Sequence, residues 1–225
     1  MKFPNAAKGV SKIFTAEILG LIATILIGIG TVTAAVAYVG SKEKVISDAA
    51  VGGTAVGGGA ILTIGAIIAF VGAIIGIVGM VQAGKDEKFF KYALYAMIIY
   101  IVVYAIMSFA LTTSGYKDYV GSGTTLINLI VTVLIIQGVI NIANQKQNEK
   151  IAAKGALIFK LIICVTVLEI IVGIIAAATK NQVAAVIAVV LAIVALVLSL
   201  VRYILYLSLL SNAKKMLAED AEPKA

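Results

Sequence analysis

The stretch AILTIGAIIAFVGAIIGIVGMVQA, residues 60–83, is apolar for the length of a membrane crossing and carries glycine on a regular beat. Gly58, Gly65, Gly72 and Gly79 recur every seven residues, and Ala69, Ala73 and Gly76 fill the i+3 and i+4 positions between them. At 100° per residue these positions share one face of a helix, so that face is almost bare backbone and a neighbouring helix can approach it closely. Glycine costs about 1 kcal/mol against alanine in a water-exposed helix, so the stripe needs a reason. Close packing is the reading adopted. A hinge, or drift in a lipid-facing segment that tolerates glycine, are its alternatives.

Working outward, the whole chain has the same character. Of its 225 residues 62% are hydrophobic and 13% charged, against about 25% charged in soluble domains. Mean hydropathy is +1.11. These values predict an all-α, polytopic membrane bundle, because the apolar runs reach helix-span length of about 20 residues instead of the alternating runs of about 10 found in barrels. Six spans are expected, at about 14–39, 60–83, 89–111, 126–143, 156–179 and 183–210, forming one transmembrane domain over 1–211 with a short cytoplasmic tail at 212–225. The first span is too long for a signal-peptide core of 7 to 15 residues, so it reads as a signal anchor.

Several chemistries lack their residues. With no histidine, no tryptophan and one cysteine, the chain has no usual set of zinc or haem ligands, no Ser-His-Asp base and no intramolecular disulfide. No cofactor, metal or enzymatic activity is expected, and Cys164 reads as inert packing. The net charge of +7 comes from lysines beside apolar spans, without the basic and aromatic interleaving of a nucleic-acid surface. The partners expected are the lipid bilayer and either further copies of this chain or other membrane subunits.

The lysines set an orientation. Twelve fall on one side of the six spans (2, 8, 12, 85, 88, 91, 146, 150, 154, 214, 215 and 224) and four on the other (42, 44, 117 and 180). Such a bias predicts a multi-pass protein of the cell membrane with both termini in the cytoplasm. The odd spans also begin alike, with Phe14, Phe90 and Phe159 at their entries, and the even spans end alike in QAGK, ANQK and SNAK. Three tandem helical hairpins would produce this pattern, as would convergence of boundary residues. In span count and topology the chain resembles the substrate-binding components of energy-coupling-factor vitamin transporters. That likeness is architectural and rests on no motif.

Small residues recur on two further faces, which are expected to pack other helices. Gly20, Thr24, Gly28, Thr31 and Ala35 line the first span and are paired here with the glycine stripe of the second. Ala185, Ala188, Ala192, Ala195 and Ser199 line the sixth. Three connections read as loops: 41–59 with its glycine run, 112–125, and 144–155.

The candidate site residues are the polar groups within spans: Tyr100 and Tyr104 on the third, Gln137 on the fourth, Glu169 on the fifth and Arg202 on the sixth. Glu169 stands out, because a carboxylate at the bilayer centre costs about 3 kcal/mol on translocon scales. It is expected to face the bundle or water, with Tyr100 and then Gln137 as nearest partners. Two functions fit: a small-solute or ion transport component using this acidic site, or a structural or assembly subunit that packs through its small-residue faces. In a Cys164→Ala background, single cysteines at Ser47 and Ser122 should react with an impermeant thiol reagent added to intact cells, while those at Ser11 and Asn148 should not.

Overall fold

The computed structural model describes residues 2–42, 48–110, 117–178 and 182–221, with side chains over 2–36, 56–103, 105, 127–172, 174–175 and 189–218. Six helices account for nearly all of it: α1 (Pro4–Lys42), α2 (Asp48–Ala83), α3 (Lys88–Ala110), α4 (Lys117–Gln145), α5 (Glu149–Ala178) and α6 (Gln182–Ala221). The described residues contain no strand. Five stretches are long and apolar enough to cross a membrane: Pro4–Val36, Val56–Ala83, Ile127–Gln145, Glu149–Val172 and Val189–Ala218. The remaining helix, α3, is 23 residues long and coincides with the third expected span.

The helices outrun the apolar runs that predicted them. At 1.5 Å per residue, the 39 residues of α1 reach about 58 Å, roughly twice the hydrocarbon thickness. Proline at its first position supplies a fixed φ and lacks only an N–H that would go unpaired there. Much of the expected loop structure is therefore helical. The glycine run at 52–59 lies inside α2, residues 117–125 belong to α4, 149–155 to α5, and the tail as far as Ala221 to α6. The glycine run next to the apolar segment gains intrahelical hydrogen bonds where peptide groups find little water, and the polar flanks prolong helices already nucleated, each added residue closing one more hydrogen bond. The other parts of those loops, at 43–47 and 111–116, lie outside the described residues.

The chain divides into two compact units, one made of Ser11–Gly79 and the other of Met1–Val10 with Met80–Ala225. The first is the α1–α2 hairpin. A Cβ added at Gly65 would stand 2.8 Å from Ile27 Cγ1 and 3.3 Å from the Ala23 carbonyl oxygen. One at Gly72 would meet the Ala16 oxygen and Leu19 Cβ, both at 3.3 Å, and one at Gly76 would meet Ala16 Cβ at 3.3 Å. In the other direction, a Cβ on Gly30 would lie 2.8 Å from Leu62 Cγ, and one on Gly58 would lie 3.2 Å from Ala34 N. As residue numbers rise on α1 they fall in step on α2, so the two run antiparallel in constant register over five turns. Contact positions alternate three and four apart, the spacing of a shallow left-handed crossing.

The pairing of these two helices is that expected, but the face of α1 is not. Contact runs through Ala16, Leu19, Ala23, Ile27, Gly30, Thr33 and Ala34, with the Gly20 backbone N at its edge, 3.7 Å from a Cβ on Gly72, whereas a Cβ on Gly20 or Gly28 itself would have nothing within 4 Å. Thr24 and Thr31 donate to their own helix, at the oxygens of Gly20 (2.9 Å) and Ile27 (2.8 Å). Bulk explains part of the shift: Gly65 receives Ile27 and Gly30 receives Leu62, while Gly58, Gly72 and Gly76 meet backbone or Cβ atoms of Gly30, Thr33, Ala34, Ala16 and Leu19. Gly79 is also buried.

In the second unit α3 packs on α4, α4 on α5, and α5 on α6, with α4 also meeting α6. Its fully buried side chains, among them Phe90, Ile136, Ile142, Ile158, Leu209 and Leu210, crowd towards the lysine-rich end. Glycines again admit bulk: a Cβ on Gly138 would lie 2.8 Å from the Phe90 ring, and Gly155 stands against Ile140. Phe14 and Phe159 are only half-buried, so the three phenylalanine marks are not equivalent. Cys164, expected to pack, is exposed on α5.

Thermal unfolding in detergent should separate the two faces of α1 and α2. Gly58→Leu and Gly72→Leu, which press on backbone, should each lose about 1–3 kcal/mol, while Gly28→Leu should be near neutral.

Candidate functional site

Two polar regions stand out, one at the lysine-rich end and one in the middle of α5. The first is built by the turn between α2 and α3. Its backbone closes through Gly84 N–H to the Met80 oxygen (2.8 Å) and Glu87 N–H to the Ala83 oxygen (3.0 Å), which presents Asp86 and Glu87 in opposite roles. The Asp86 carboxylate accepts from Asn5 Nδ2 and from the backbone N–H of Ala6, both at 2.8 Å. It therefore caps α1 from 80 residues away and puts a negative charge at the positive end of that helix. Phe3, Ala6, Ala7 and Val10 are buried around this junction.

Glu87 turns inward and is only 7% exposed. Its Oε1 accepts from Phe89 N–H in the first turn of α3 and from Asn141 Nδ2 of α4, each at 3.4 Å. Asn141 Oδ1 in turn accepts from Gln137 Nε2 at 3.2 Å. Gln137 and Asn141, one turn apart on α4, thus form a polar strip that ends on a helix cap. The α4–α5 turn does a similar job locally. Gln147 takes a left-handed φ of 56°, Asn148 N–H returns to the Ala143 oxygen at 2.8 Å, and Asn148 Oδ1 caps α5 by accepting from Ile151 N–H at 3.2 Å.

The second region centres on Glu169. Ile151, Gly155, Ile158, Ile162 and Val165 are the buried positions of α5, three or four residues apart on one face. Glu169, four residues beyond Val165, is the next position on that face, yet it is exposed. The opposite flank, with Ile163, Val167, Ile170 and Ile174, is exposed and wholly apolar, as lipid contact requires. At a comparable level on the adjoining helix, Asn128 of α4 is also exposed, and its backbone oxygen accepts from Thr132 Oγ1 at 2.9 Å. The carboxylate therefore lies where the packing of the second unit gives way, on its packing side.

The structure separates Gln137 and Arg202 from Glu169. Gln137 belongs to the Glu87 network, and from Gly155, which packs beside it, to Glu169 is about 21 Å along α5. Arg202 is half-buried on the α6 face that runs through Ala195 and Ser199 to the buried Tyr206. The contact of Lys154 Nζ with Ser208 Oγ (2.5 Å) fixes the antiparallel register of α5 and α6, which sets Arg202 near the level of Lys160 and well short of Glu169. Tyr100 is half-buried on α3. The side chains of Tyr104 and Ala188 lie outside the described residues. Ala195 is buried and Ala192 exposed, so only part of the alanine face is enclosed. Among the described residues no group of three or more acidic, cysteine or histidine side chains could hold a metal ion.

Sequence reading missed Asp86 and Glu87, which lie in the short connection between the second and third spans. The signal was present: two consecutive acids directly before KFFK, at a helix start, are in capping position. No family model, curated protein or solved structure matches the chain.

Removing the cross-chain cap should be measurable. Asp86→Ala should lower unfolding stability by about 1–2 kcal/mol, and Asn5→Ala by less, because the backbone N–H of Ala6 keeps its acceptor in the second variant.

Proposed function

We propose that this chain is a small-solute or ion transport component of the cell membrane, with both termini cytoplasmic, and that Glu169 is its intramembrane acidic site. The observation that carries the reading is the exposure of Glu169 on the packing face of α5, one step past a run of five buried positions. A carboxylate set among lipid tails costs several kcal/mol, whereas one in an opening between helices can meet water, a proton or a cation. In such a place it has two states to offer, a neutral hydrogen-bond donor and an anion, and exchange between them is the elementary step of proton- or cation-coupled transport. The orientation rests on the distribution of lysines, twelve against four.

The competing reading is a structural or assembly subunit whose small-residue faces pack helices of its own or of another protein, without transport activity; the glycine face of α2 is used within the chain. Gly58, Gly65, Gly72 and Gly76 are occupied by α1 of the same chain, with a Cβ's space already filled at each. No glycine stripe is left over on that face of α2 for a partner.

Glu169→Gln keeps the shape and a donor but cannot titrate. In proteoliposomes the variant should fold with near-normal thermal stability and lose any pH-dependent flux shown by the unaltered protein. Flux that is unchanged in the variant removes Glu169 from the mechanism and puts the assembly reading ahead.

A further inference from the structure

At the lysine-rich end, α5 and α6 present a seam of cations and neutral polar groups. Lys154 is half-buried and donates to Ser208 Oγ at 2.5 Å. An ammonium has three N–H donors, and Ser208 takes one. Lys150 lies one turn earlier on the same flank of α5, and Asn212 and Lys215 follow Ser208 at i+4 and i+7 on α6. Both lysines beside Lys154 are exposed, and Asn212 is half-buried. Glu149 is 100° round α5 from Lys150; Glu219 follows Lys215 at i+4 on α6, the spacing of a helical ion pair, and its side chain lies outside the described residues. Asp86 and Glu87, at the same end, are engaged in helix caps.

We infer that the α5–α6 seam formed by Lys150, Lys154, Ser208, Asn212 and Lys215 binds the phosphate of an anionic phospholipid headgroup. The chemistry asks for an anion with several acceptor oxygens, since it must meet ammonium, hydroxyl and amide groups at once. The level favours lipid. Lys154 precedes the apolar run of α5 by two residues, and Ser208 lies within the last turns of that of α6, so the seam sits where headgroups lie and acyl chains can run along the exposed Leu157. Lysines on exposed helix ends attract such lipids diffusely; this seam gathers lysines of two helices around an ammonium group that is half-buried and hydrogen-bonded.

The test uses the full-length protein in neutral detergent micelles doped with phosphatidylglycerol or phosphatidylcholine, read by thermal unfolding and by native mass spectrometry of retained lipid. Phosphatidylglycerol should raise Tm by about 5 °C or more over phosphatidylcholine and leave at least one lipid bound. The Lys150→Gln/Lys154→Gln double variant should lose most of that shift and the retained lipid, while Lys88→Gln/Lys91→Gln, with the same loss of charge on α3, should keep both. Should the first double variant fail to fold, Lys215→Gln, at an exposed position, should show a partial loss by the same readouts. Equal effects of the two lipids, or equal losses in the two double variants, would overturn the site. Protection by inorganic phosphate that displaces the retained lipid would assign the seam to soluble phosphate and overturn the lipid.

Discussion

Every backbone N–H and C=O that enters hydrocarbon must find its partner inside the protein, and this constraint shapes the chain more than any side chain does. It keeps the apolar runs helical throughout, and the polar flanks prolong these nucleated helices outside the hydrocarbon, so that α1 and α6 reach 39 and 40 residues. It also moves the unmet backbone groups to the helix ends, where water is near and carboxylates and amides can serve them. Asp86, Glu87 and Asn148 all lie in short turns and all accept from first-turn N–H groups. The polar chemistry of one end of the second unit is thus largely the chemistry of helix starts.

Between the ends, association relies on shape. Hydrocarbon supplies little hydrophobic drive for one helix to leave lipid and join another, so close approach has to gain through dispersion. The α1–α2 seam achieves it by setting Ile27 into the space at Gly65 and Leu62 into the space at Gly30. The second unit repeats the device with Phe90 on Gly138 and Ile140 on Gly155. Among the described positions on that face of α5, burial stops at Glu169, where the side chain is acidic instead of branched.

This division explains what could be read from the sequence. Hydropathy and length revealed the helices and their order, because membrane thickness is a one-dimensional constraint that the sequence carries directly. The glycine face of α2 was legible for the same reason: a period of seven on one strand of sequence needs no partner to be seen. The face of α1 was not, since its contact residues include Leu19 and Ile27, ordinary apolar residues that acquire meaning only beside Gly72 and Gly65. Glu169 was recognisable as unusual from its neighbours, but its exposure depends on where α4 and α6 leave α5. Asp86 carried a local capping signal, but the helix start it serves could not be read, as that partner lies 80 residues earlier.

That long-range cap has a consequence for how the protein is made. The first turn of α1 leaves the ribosome with its N–H groups unserved, and its acceptor does not exist until the second apolar run has been synthesised and the turn after it has emerged. The opening ten residues therefore settle late, after the hairpin they precede has already entered the bilayer. A chain halted before residue 86 would carry both of its first spans and still lack the anchor for its own beginning.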